Sequence, residues 1–574
     1  MSGYSPQPNL VAEENMHRFP RRFWLLLVLT GIGTGLGASA LMGILRAVQH
    51  AAWSYRHGNF LAAVERTGSE HRVVVLLIGG LVGAAGLLLR HLVVRGHGGE
   101  VSETIWFKEG KFPFLRTSTS AVLSIVIVGL GASVGREGAP KQVGAAIASQ
   151  LAEWFSLNPA QRRLLAACGA GAGMAAVYNV PVGGALFAME VLLGTLALPL
   201  VIPALLTSFI ATAVSWLFLP NHATYSLPSL HTSTSQILWA LAFAPLAGLA
   251  SVVYVRTIVW ADRNKPRGWL RIVLPPIVFT ALGVAAIWFP QLLGNGKDTA
   301  QLAFLNQIDI RLLFVLMALK VAATSGCLRS GVPGGLFTPT VTVGALLGGG
   351  CGQVWTHFGF PAAGGSFAVI GAGAVLAAAT QGPVSAIVLI LELTYRINGI
   401  MIPLIIGVCG ATIVAGWLEP KSIYSAGLHF GRASAEALAP AVPTAFDDLI
   451  RRDCDVVSAS AHYSVVLKKL LSSRSSSVFV VDENGKLTGQ IGTQQALAAN
   501  REGPLDTMTA ADLLIPVHAV SASAARRDAL QQTARELEPP VTDAQNRLIG
   551  VLANAAGGEI RRATAIGSSP SFGP

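Results

Sequence analysis

The chain has 574 residues, of which 52% are hydrophobic and only 12% carry a charged side chain. An ordinary soluble protein has about 25% charged residues, so the composition excludes a soluble globular fold for most of the chain. The net charge of +11 is not accompanied by a pattern of basic and aromatic residues, so no nucleic-acid partner is expected. The five cysteines show no metal-ligand spacing, so we interpret them as small apolar packing residues and predict no metal site.

Apolar blocks of membrane-spanning length occur up to about residue 418. The clearest of them cover residues 23–45, 73–89, 237–255 and 401–418. A helix needs roughly 20 apolar residues to cross a bilayer, so the sequence predicts an all-α polytopic membrane protein. The basic stretch HRFPRR precedes the first block, which predicts a cytoplasmic N-terminal segment over residues 1–22.

A charged motif interrupts the apolar sequence at residues 135–140, which read GREGAP. Glycines let the backbone approach a ligand closely, and proline is tolerated in the first turn of a helix. We therefore predict that a helix begins here, deep in the membrane. The sequence GGLFTP at residues 334–339 predicts a second helix start of the same kind.

The two motifs belong to an internal repeat. Residues 169–190 and 371–392 are identical at nine of 22 positions, including a shared Pro-Val and a final glutamate. Pro140 and Pro339, at nearly the same offset, precede these segments in the same order. Internal repeats are typical of transporters, whose substrate sites lie between the repeats at the ends of broken helices.

Two helix N-termini that face one point would form an anion site. Their free N–H groups and partial positive charge attract an anion without a full cation, so the ion is also able to leave. A carboxylate at this site, Glu137, would compete with the anion while charged and swing away once protonated, so acid would favour opening. The alternative is that Glu137 only pairs with Arg136 or caps its own helix.

The composition changes near residue 440, and no apolar run of membrane length follows. Residues 476–492 predict two strands joined by a turn at Glu483, Asn484 and Gly485. The preceding residues 463–473 have helical spacing. Residues 526–552 predict a weaker copy, a helix followed by a strand.

The two tandem units, over residues 446–560, predict a small cytoplasmic α/β domain that resembles a pair of CBS domains. Such pairs often bind adenosine nucleotides through an aspartate a few residues after the second strand. Gln495 and Ala556 occupy the corresponding places here, so nucleotide binding is not expected and no cofactor is predicted. Residues 561–574 are expected to form a disordered tail.

Four motifs of the membrane region together resemble the CLC family of chloride channels and chloride/proton antiporters. They are GREGAP, SGVPGGLFTP (330–339), NVPVGGALFAME (179–190) and QGPVSAIVLILELT (381–394). The resemblance covers roughly residues 23–430. It implies two inverted repeats of membrane helices per subunit, and a homodimer with one pore in each subunit.

The resemblance also implies roles for individual residues. Glu137 matches the gating glutamate, and Leu336 and Phe337 match the residues whose N–H groups bind the central anion. Tyr424 matches a tyrosine whose hydroxyl reaches that anion from the inside. The implied anion-binding set is therefore Arg136, Gly138, Gly335, Leu336, Phe337, Tyr424 and His97.

His97 marks a departure from the family pattern. The family's first filter motif is usually G-S-G-x-P, whose serine hydroxyl donates to the central anion. The matching stretch here is RGHGGEVSE, which puts His97 in the place of the serine and Glu100 in the place of the proline. A pore-facing His97 would donate an N–H to the anion, more strongly at mildly acid pH; the alternative places it in an intracellular vestibule.

A second departure concerns protons. Antiporters of this family usually carry a second glutamate that relays protons from the cytoplasm, and Val191 occupies that position here. Valine cannot carry a proton, so the relay position is lost. The neighbouring Glu190 has a repeat counterpart in Glu392, which favours a structural role for both, bracing a helix end.

The sequence therefore predicts a passive chloride channel of the inner membrane, gated by protonation of Glu137, with both termini in the cytoplasm. The first alternative is a chloride/proton antiporter. A remote alternative is an intramembrane enzyme that uses Glu137 and His97 as an acid and base, although no nucleophile or ligand motif accompanies them. The expected partners are chloride, the lipid bilayer and a second copy of the chain.

Overall fold

The computed structural model describes residues 19–55, 58–93, 100–228, 232–360, 365–396, 399–425, 450–451, 454–472, 477–492, 496, 508–517, 519–521 and 540–552. The chain divides into two compact units, Met1–His429 and Phe430–Pro574. His97, Gln495 and Ala556 lie outside the described residues, as do the predicted tail and most of the N-terminal segment.

The described part of the first unit is helical. Its α-helices are α1 (Arg21–Trp53), α2 (Phe60–Arg66), α3 (Ser69–Val93), α4 (Val101–Phe107), α5 (Phe114–Gly129), α6 (Gly138–Trp154), α7 (Pro159–Tyr178), α8 (Pro181–Phe187), α9 (Leu198–Ser215), α10 (Thr234–Arg263), α11 (Leu270–Trp288), α12 (Lys297–Phe304), α13 (Ile310–Arg329), α14 (Phe337–His357), α15 (Ser366–Thr380), α16 (Pro383–Thr394) and α17 (Met401–Leu418). A π-helical turn, Ala188–Leu193, extends α8, and a 3-10 turn, Pro290–Leu292, precedes α12.

Seven of the described helices are long and apolar enough to cross a membrane: α1, α3, α9, α10, α11, α13 and α17. Four shorter apolar helices, α5, α8 with its extension, α15 and α16, lie among them. The predicted blocks fall inside α1, α3, α10 and α17. The helices α1 and α10 exceed their blocks because polar turns continue them at the ends, as in Arg21–Trp53 against the predicted 23–45.

The helices repeat in order along the chain. If α2 is set aside, the series α1, α3, α4, α5, α6, α7, α8, α9 matches the series α10 to α17 in its succession of long and short helices. Pro140 and Pro339 are each the third residue of their helices, α6 and α14. The internal repeat read from the sequence is therefore a repeat of structure.

The same close contact holds each half together. A Cβ added to Gly144 on α6 would overlap the carbonyl of Gly169 on α7, and the reverse substitution would overlap equally. In the second half, Gly344 on α14 and Gly371 on α15 meet in the same way. Small residues let helix backbones approach closely in membranes, where dispersion contacts replace the hydrophobic effect.

Two glutamates exchange caps between the halves. Glu190, in the extension of α8, accepts hydrogen bonds from the Val384 and Ser385 N–H groups at the start of α16, at 3.1 and 2.6 Å. Glu392 on α16 accepts from the Val182 and Gly183 N–H groups at the start of α8, at 3.1 and 2.6 Å. This reciprocity relates the halves by an approximate two-fold axis, as expected of inverted repeats, and it is the bracing role predicted for the pair.

The second unit is a small α/β region. Its described elements are β1 (Ile450–Arg451), β2 (Val456–Ser458), α18 (Tyr463–Ser472), β3 (Ser477–Val481), β4 (Leu487–Gly492), α19 (Ala510–Leu513), β5 (Val520–Ser521), β6 (Pro540–Thr542) and β7 (Leu548–Leu552). One sheet has the order β2-β3-β4 and the other has the order β1-β7-β6-β5. In each, a parallel pair (β2 with β3, β5 with β6) adjoins an antiparallel hairpin.

The hairpins of the two sheets have turns with the same hydrogen-bonding pattern. Asp482 accepts from the N–H groups of Asn484 and Lys486, and Asp543 accepts from those of Gln545 and Arg547. The predicted turn residue Gly485 has φ 75°, and Asn546 at the equivalent place has φ 61°. Both residue types tolerate this left-handed conformation. The predicted strand pair and α18 are confirmed; the predicted helix of the second copy lies largely outside the described residues.

Candidate anion pathway

The side chain of Glu137 leaves its own helix and binds the start of another. Glu137 precedes α6, yet its Oε1 accepts a hydrogen bond of 2.6 Å from the N–H of Phe337, the first residue of α14. The first N–H groups of a helix have no partner within it and carry partial positive charge. The residue is fully buried. Its carboxylate therefore occupies a place that would equally suit a small anion.

Two hydroxyl groups complete this place. The Tyr178 hydroxyl donates to Glu137 Oε2 at 3.1 Å, and the Thr338 hydroxyl lies 3.2 Å from the same oxygen. The two hydroxyl oxygens are 2.6 Å apart. Each hydroxyl has one proton to donate, so while one donates to the carboxylate the other is able to donate to its neighbour. We call the Phe337 N–H with these two hydroxyls the Glu137 seat.

The backbone around the seat has no room for side chains. Gly135 and Gly335 pair as an antiparallel bridge, in which each N–H donates to the other's carbonyl at 2.7 and 2.8 Å. A Cβ on either glycine would overlap the Glu137 carboxylate. The glycines of the two motifs are thus required by the close approach of both backbones to the carboxylate.

A cavity of about 420 Å³ is lined by Arg136, the neighbour of Glu137 in the chain, and we call it the Arg136 cavity. Arg136, Tyr55, His222, Lys297 and Asp298 are among its lining residues. The Arg136 guanidinium lies over the Tyr178 ring, 5.1 Å from its centroid, and its Nε has no hydrogen-bond partner. Burial and the nearby Arg136 charge lower the pKa of Lys297 to about 8. The Arg136 cavity therefore carries a second positive charge, that of Lys297, below this pH.

A second cavity, of about 350 Å³, contains Leu336 in its wall, and we call it the Leu336 cavity. Its charged lining residues are Glu100, Glu103, Lys108, Lys111, Arg116, Asp262 and Lys265. Arg136 precedes Glu137 in the chain and Leu336 precedes Phe337. The chain neighbours of the hydrogen-bonded pair Glu137 and Phe337 therefore line different cavities.

Tyr424, the residue predicted to reach the anion from the inside, has a buried side chain. It is 3% exposed, its ring packs edge-on against Phe187 at 5.6 Å, and its hydroxyl has no hydrogen-bond partner among the residues that the structure describes. Lys141, one turn into α6, places its ammonium 4.5 Å from the Tyr424 ring centroid and 5.2 Å from that of Phe187. Among the described residues, no hydrogen bond or ion pair reaches the Lys141 Nζ.

The structure brings together most of the residues predicted from the sequence. Glu137, Phe337 and Arg136 surround the seat, and Leu336 and Gly138 lie directly beside it. Gly335 is the exception in its predicted role, because its N–H donates to the Gly135 carbonyl and is not free for an anion. Val191 packs near Gly382 at the start of α16, away from Glu137.

Sequence reasoning missed three groups: Tyr178, Thr338 and Lys141. The two hydroxyls reach Glu137 from α7 and α14, and only the tertiary fold shows this. Lys141 did offer a signal, since a lysine inside an apolar helix is a functional candidate by default. The prediction that the anion site needs no full cation stays a prediction, and the buried Lys141 is a further candidate beside it.

Comparison with known proteins decides the family. A model of the voltage gated chloride channel family, the CLC family, matches residues 82–416. The chain belongs to this family. The CLC resemblance of the four sequence motifs is thereby confirmed, and the chain is a membrane transport protein and not an enzyme.

Two named relatives represent the two modes of transport within the CLC family. The chain is 29% identical over 425 residues to the voltage-gated ClC-type chloride channel ClcB of Citrobacter koseri, covering 70% of this chain and 98% of the relative. It is 31% identical over 322 residues to the H(+)/Cl(-) exchange transporter ClcA of Cronobacter sakazakii, covering 54% of this chain and 68% of the relative.

Solved structures show the CLC fold. A slow cyanobacterial Cl-/H+ antiporter superposes with a TM-score of 0.63 at 21% identity, over 71% of this chain and 97% of its own. A eukaryotic CLC transporter superposes with a TM-score of 0.58 at 18% identity, over 93% of this chain and 97% of its own. The all-α membrane architecture with a small α/β region after it is confirmed by these neighbours.

Proposed function

We propose that the chain exchanges chloride for protons across the membrane, and that Glu137 serves both ions at the same seat. The observation that carries this proposal is the hydrogen bond from the Phe337 N–H to the Glu137 carboxylate. A titratable group occupies a site suited to an anion, so proton binding and anion binding are linked at one place.

The cycle follows from the charge of the carboxylate. Charged Glu137 accepts from Phe337, Tyr178 and Thr338 and fills the seat. Once protonated, its oxygens are weaker acceptors, and chloride competes successfully for the same donors. When chloride leaves and the proton is released to one side, the carboxylate returns to the seat. One acid group thus alternates with the anion, which couples the two movements.

The side of the membrane that each cavity faces is assigned from α1. The basic residues that precede α1 place its first turn in the cytoplasm, and Gln49 and Tyr55, at its far end, line the Arg136 cavity. We therefore assign the Arg136 cavity to the outside and the Leu336 cavity to the cytoplasm. In a bacterial cell this membrane would be the inner membrane, with both termini in the cytoplasm.

A passive chloride channel is the second candidate, and Val191 favours it. The side chain has no titratable group at the position where antiporters of the family usually have a carboxylate. A channel would open on protonation of Glu137 without moving protons stoichiometrically. The seat geometry serves either mode, so the measured ratio of proton to chloride movement distinguishes them.

The experiment uses the full chain in chloride-loaded vesicles diluted into low chloride, with both ions recorded at once. Exchange predicts that the outward chloride gradient drives protons inward against their own gradient, in a fixed ratio to chloride. Chloride efflux with no proton movement in the same vesicles would establish the channel and overturn exchange. Neither movement in correctly reconstituted vesicles would overturn both.

Two further assignments belong to this proposal. The chain would act as a homodimer with one pathway in each subunit, which native mass spectrometry of the detergent-solubilised chain tests by its mass. The second unit would be a CBS pair with a structural or gating role. Adenine nucleotides should then leave the melting temperature of the full chain unchanged, since the aspartate expected to bind the ribose is missing from the sequence.

A further inference from the structure

Lys141 is a buried cation that forms no ion pair with any residue in the described part of the chain. It lies in α6 one turn after Glu137, and its side chain is 5% exposed. Taking an ammonium out of water is costly unless it is paired and hydrogen-bonded. Two aromatic rings, of Tyr424 and Phe187, lie at 4.5 and 5.2 Å from Nζ and stabilise its charged form. They do not accept its three N–H donors as an anion would.

The nearby carboxylates do not pair with it. Glu137 and Glu100 are the acidic groups whose charges act on Lys141, but neither forms an ion pair with it. The Glu137 carboxylate is directed instead to Phe337, and it is satisfied there. Glu100, before α4, lines the Leu336 cavity. The ammonium therefore lies between two acidic groups without being neutralised by either.

A second buried lysine shows what a structural ammonium looks like in this fold. Lys320 on α13 is 1% exposed, and its Nζ donates to the carbonyls of Leu292 and Gly294 at 3.1 and 2.9 Å. Those bonds tie the 3-10 turn and the loop before α12 to α13. Lys141 has no such bonds among the described residues, so a purely structural role leaves its donors unexplained.

The Tyr424 hydroxyl has the same deficit. It is buried and has no partner within the described ranges, and Lys141 lies against its ring. A buried polar group without a partner calls for a ligand or water. A single small anion between the two would accept from the ammonium and from the hydroxyl, and would supply the missing negative charge.

We infer that the Lys141 ammonium is a further ligand of the halide that the Tyr424 hydroxyl is expected to reach, and that it adds a full positive charge to this anion site next to the Glu137 seat. Lys141 is the ligand that we assign here. The inference rests on the proposed function in one respect, that the bound halide is the transported chloride. The two sites then differ in kind: the Glu137 seat offers amide and hydroxyl dipoles, whereas this site offers a full charge. A full charge retains the ion longer, so the site limits the rate at which chloride moves on.

Calorimetric titration of the detergent-solubilised full chain with chloride tests this inference. At neutral pH the Glu137 carboxylate occupies the seat, so wild-type binding reports the Lys141 site. Lys141→Met removes the charge at nearly constant volume. We expect the dissociation constant for chloride to rise at least about tenfold, because a hydrogen bond to a charged group is lost. Lys141→Arg keeps the charge and should bind within about threefold of wild type.

The control is Lys468→Met, which removes one positive charge from an exposed position in the second unit. It should leave the dissociation constant unchanged. Tyr424→Phe should weaken binding about threefold, because one neutral hydrogen bond is lost. Each variant is compared after size-exclusion chromatography shows a single folded species. Lys141→Met with wild-type chloride affinity would overturn the inference, whatever the other variants do.

The outcome is separable from that of the proposed function, because binding needs no transport. Loss of chloride affinity in Lys141→Met, with no proton movement in wild-type vesicles, would keep this site and reject exchange. Proton-coupled exchange in wild-type vesicles, with unchanged chloride affinity in Lys141→Met, would keep the proposed function and reject the Lys141 site. If Lys141→Met and Lys141→Arg both stop proton movement at unchanged chloride affinity, Lys141 carries protons, and the anion site is overturned.

Discussion

The starts of α6 and α14 are two copies of one structural unit, and only one of them carries charge. Each follows a glycine-rich loop, each has proline as its third residue, and Gly135 pairs with Gly335 across the pseudo-two-fold axis. When the helix starts are aligned, Glu137 corresponds to Leu336, and Lys141 corresponds to Thr340.

The difference separates scaffold from function. Thr340 donates its hydroxyl to the Leu336 carbonyl within its own helix, at 2.6 Å, and lies 3.3 Å from the Tyr254 hydroxyl on α10, so this polar group of the second copy is not directed to the seat. The first copy directs Glu137 to the other helix and Lys141 to two aromatic rings. The second copy supplies the N–H donors that an anion needs, and the first supplies the groups that compete with the anion or attract it.

The same contrast holds at the ends of α7 and α15. Tyr178 corresponds to Thr380 in the repeat, and Thr380 donates to the Leu376 carbonyl one turn earlier. Tyr178 instead reaches the Glu137 carboxylate. The polar residues that differ between the two repeats are therefore concentrated around the Glu137 seat.

Replacing the Glu137 carboxyl group at the start of α6 should have the largest effect on transport. Glu137→Gln cannot ionise, so we expect proton movement to stop and the ratio of chloride flux at acid pH to that at neutral pH to fall to about one. The measurement is chloride and proton flux in vesicles over a range of pH. Glu153→Gln, at an exposed position of the same helix, should behave as wild type. Full pH sensitivity in Glu137→Gln would place the gate elsewhere.

The exchanged caps test whether the scaffold itself is symmetric. Glu190→Gln and Glu392→Gln should each lower the free energy of unfolding by about 1.5 kcal/mol, because each weakens two hydrogen bonds to a charged acceptor. Detergent unfolding curves of the two variants should therefore shift nearly equally. A loss confined to one variant would show that the two caps are not equivalent.

The hydroxyl groups of the seat should shift the pH dependence of transport. Tyr178→Phe and Thr338→Ala each remove a donor to the seated carboxylate, worth about 1 kcal/mol or about 0.7 pH unit. The seated form loses stability, so acid activation of chloride flux should begin at higher pH. The repeat counterpart Thr380→Ala serves as the control and should leave the curve in place. A shift to lower pH in Tyr178→Phe would contradict the hydrogen bonding described for the seat.

The smallest expected effect concerns the outer mouth. The pKa of Lys297 is lowered to about 8 by burial and by the Arg136 charge, so the ammonium is present below that pH and is lost as the pH rises through it. Chloride flux at limiting chloride should fall about twofold across this range, because a positive mouth concentrates anions. Lys297→Met should remove this alkaline decline while Lys468→Met keeps it. An unchanged decline in Lys297→Met would assign it to another group.

Local sequence rules were sufficient for the helix starts and for the repeat. Pro140 and Pro339 predicted where α6 and α14 begin because proline and glycine act through the backbone of their own segment. The match between residues 169–190 and 371–392 predicted that the two glutamates brace a helix end, and the structure added that each caps a helix of the other half. The hairpin at Gly485 followed from turn chemistry in the same way.

What could not be predicted depends on contacts between distant segments. The Gly335 N–H donates to the carbonyl of Gly135, a residue of the other repeat, and no pattern within either motif shows it. The partners of Tyr178 and Lys141 come from helices that meet only after the two halves pack. Side-chain direction at a helix end is decided by tertiary packing, so sequence reasoning named the gate but not the groups that hold it.

The central claim is that the Glu137 carboxylate and the transported anion occupy the same seat at Phe337. Anomalous diffraction from bromide-soaked crystals of wild type and Glu137→Gln at neutral pH tests it most directly. We expect a bromide within hydrogen-bond distance of the Phe337 N–H in Glu137→Gln and none there in wild type. Bromide at this position in both proteins, or in neither, would contradict it.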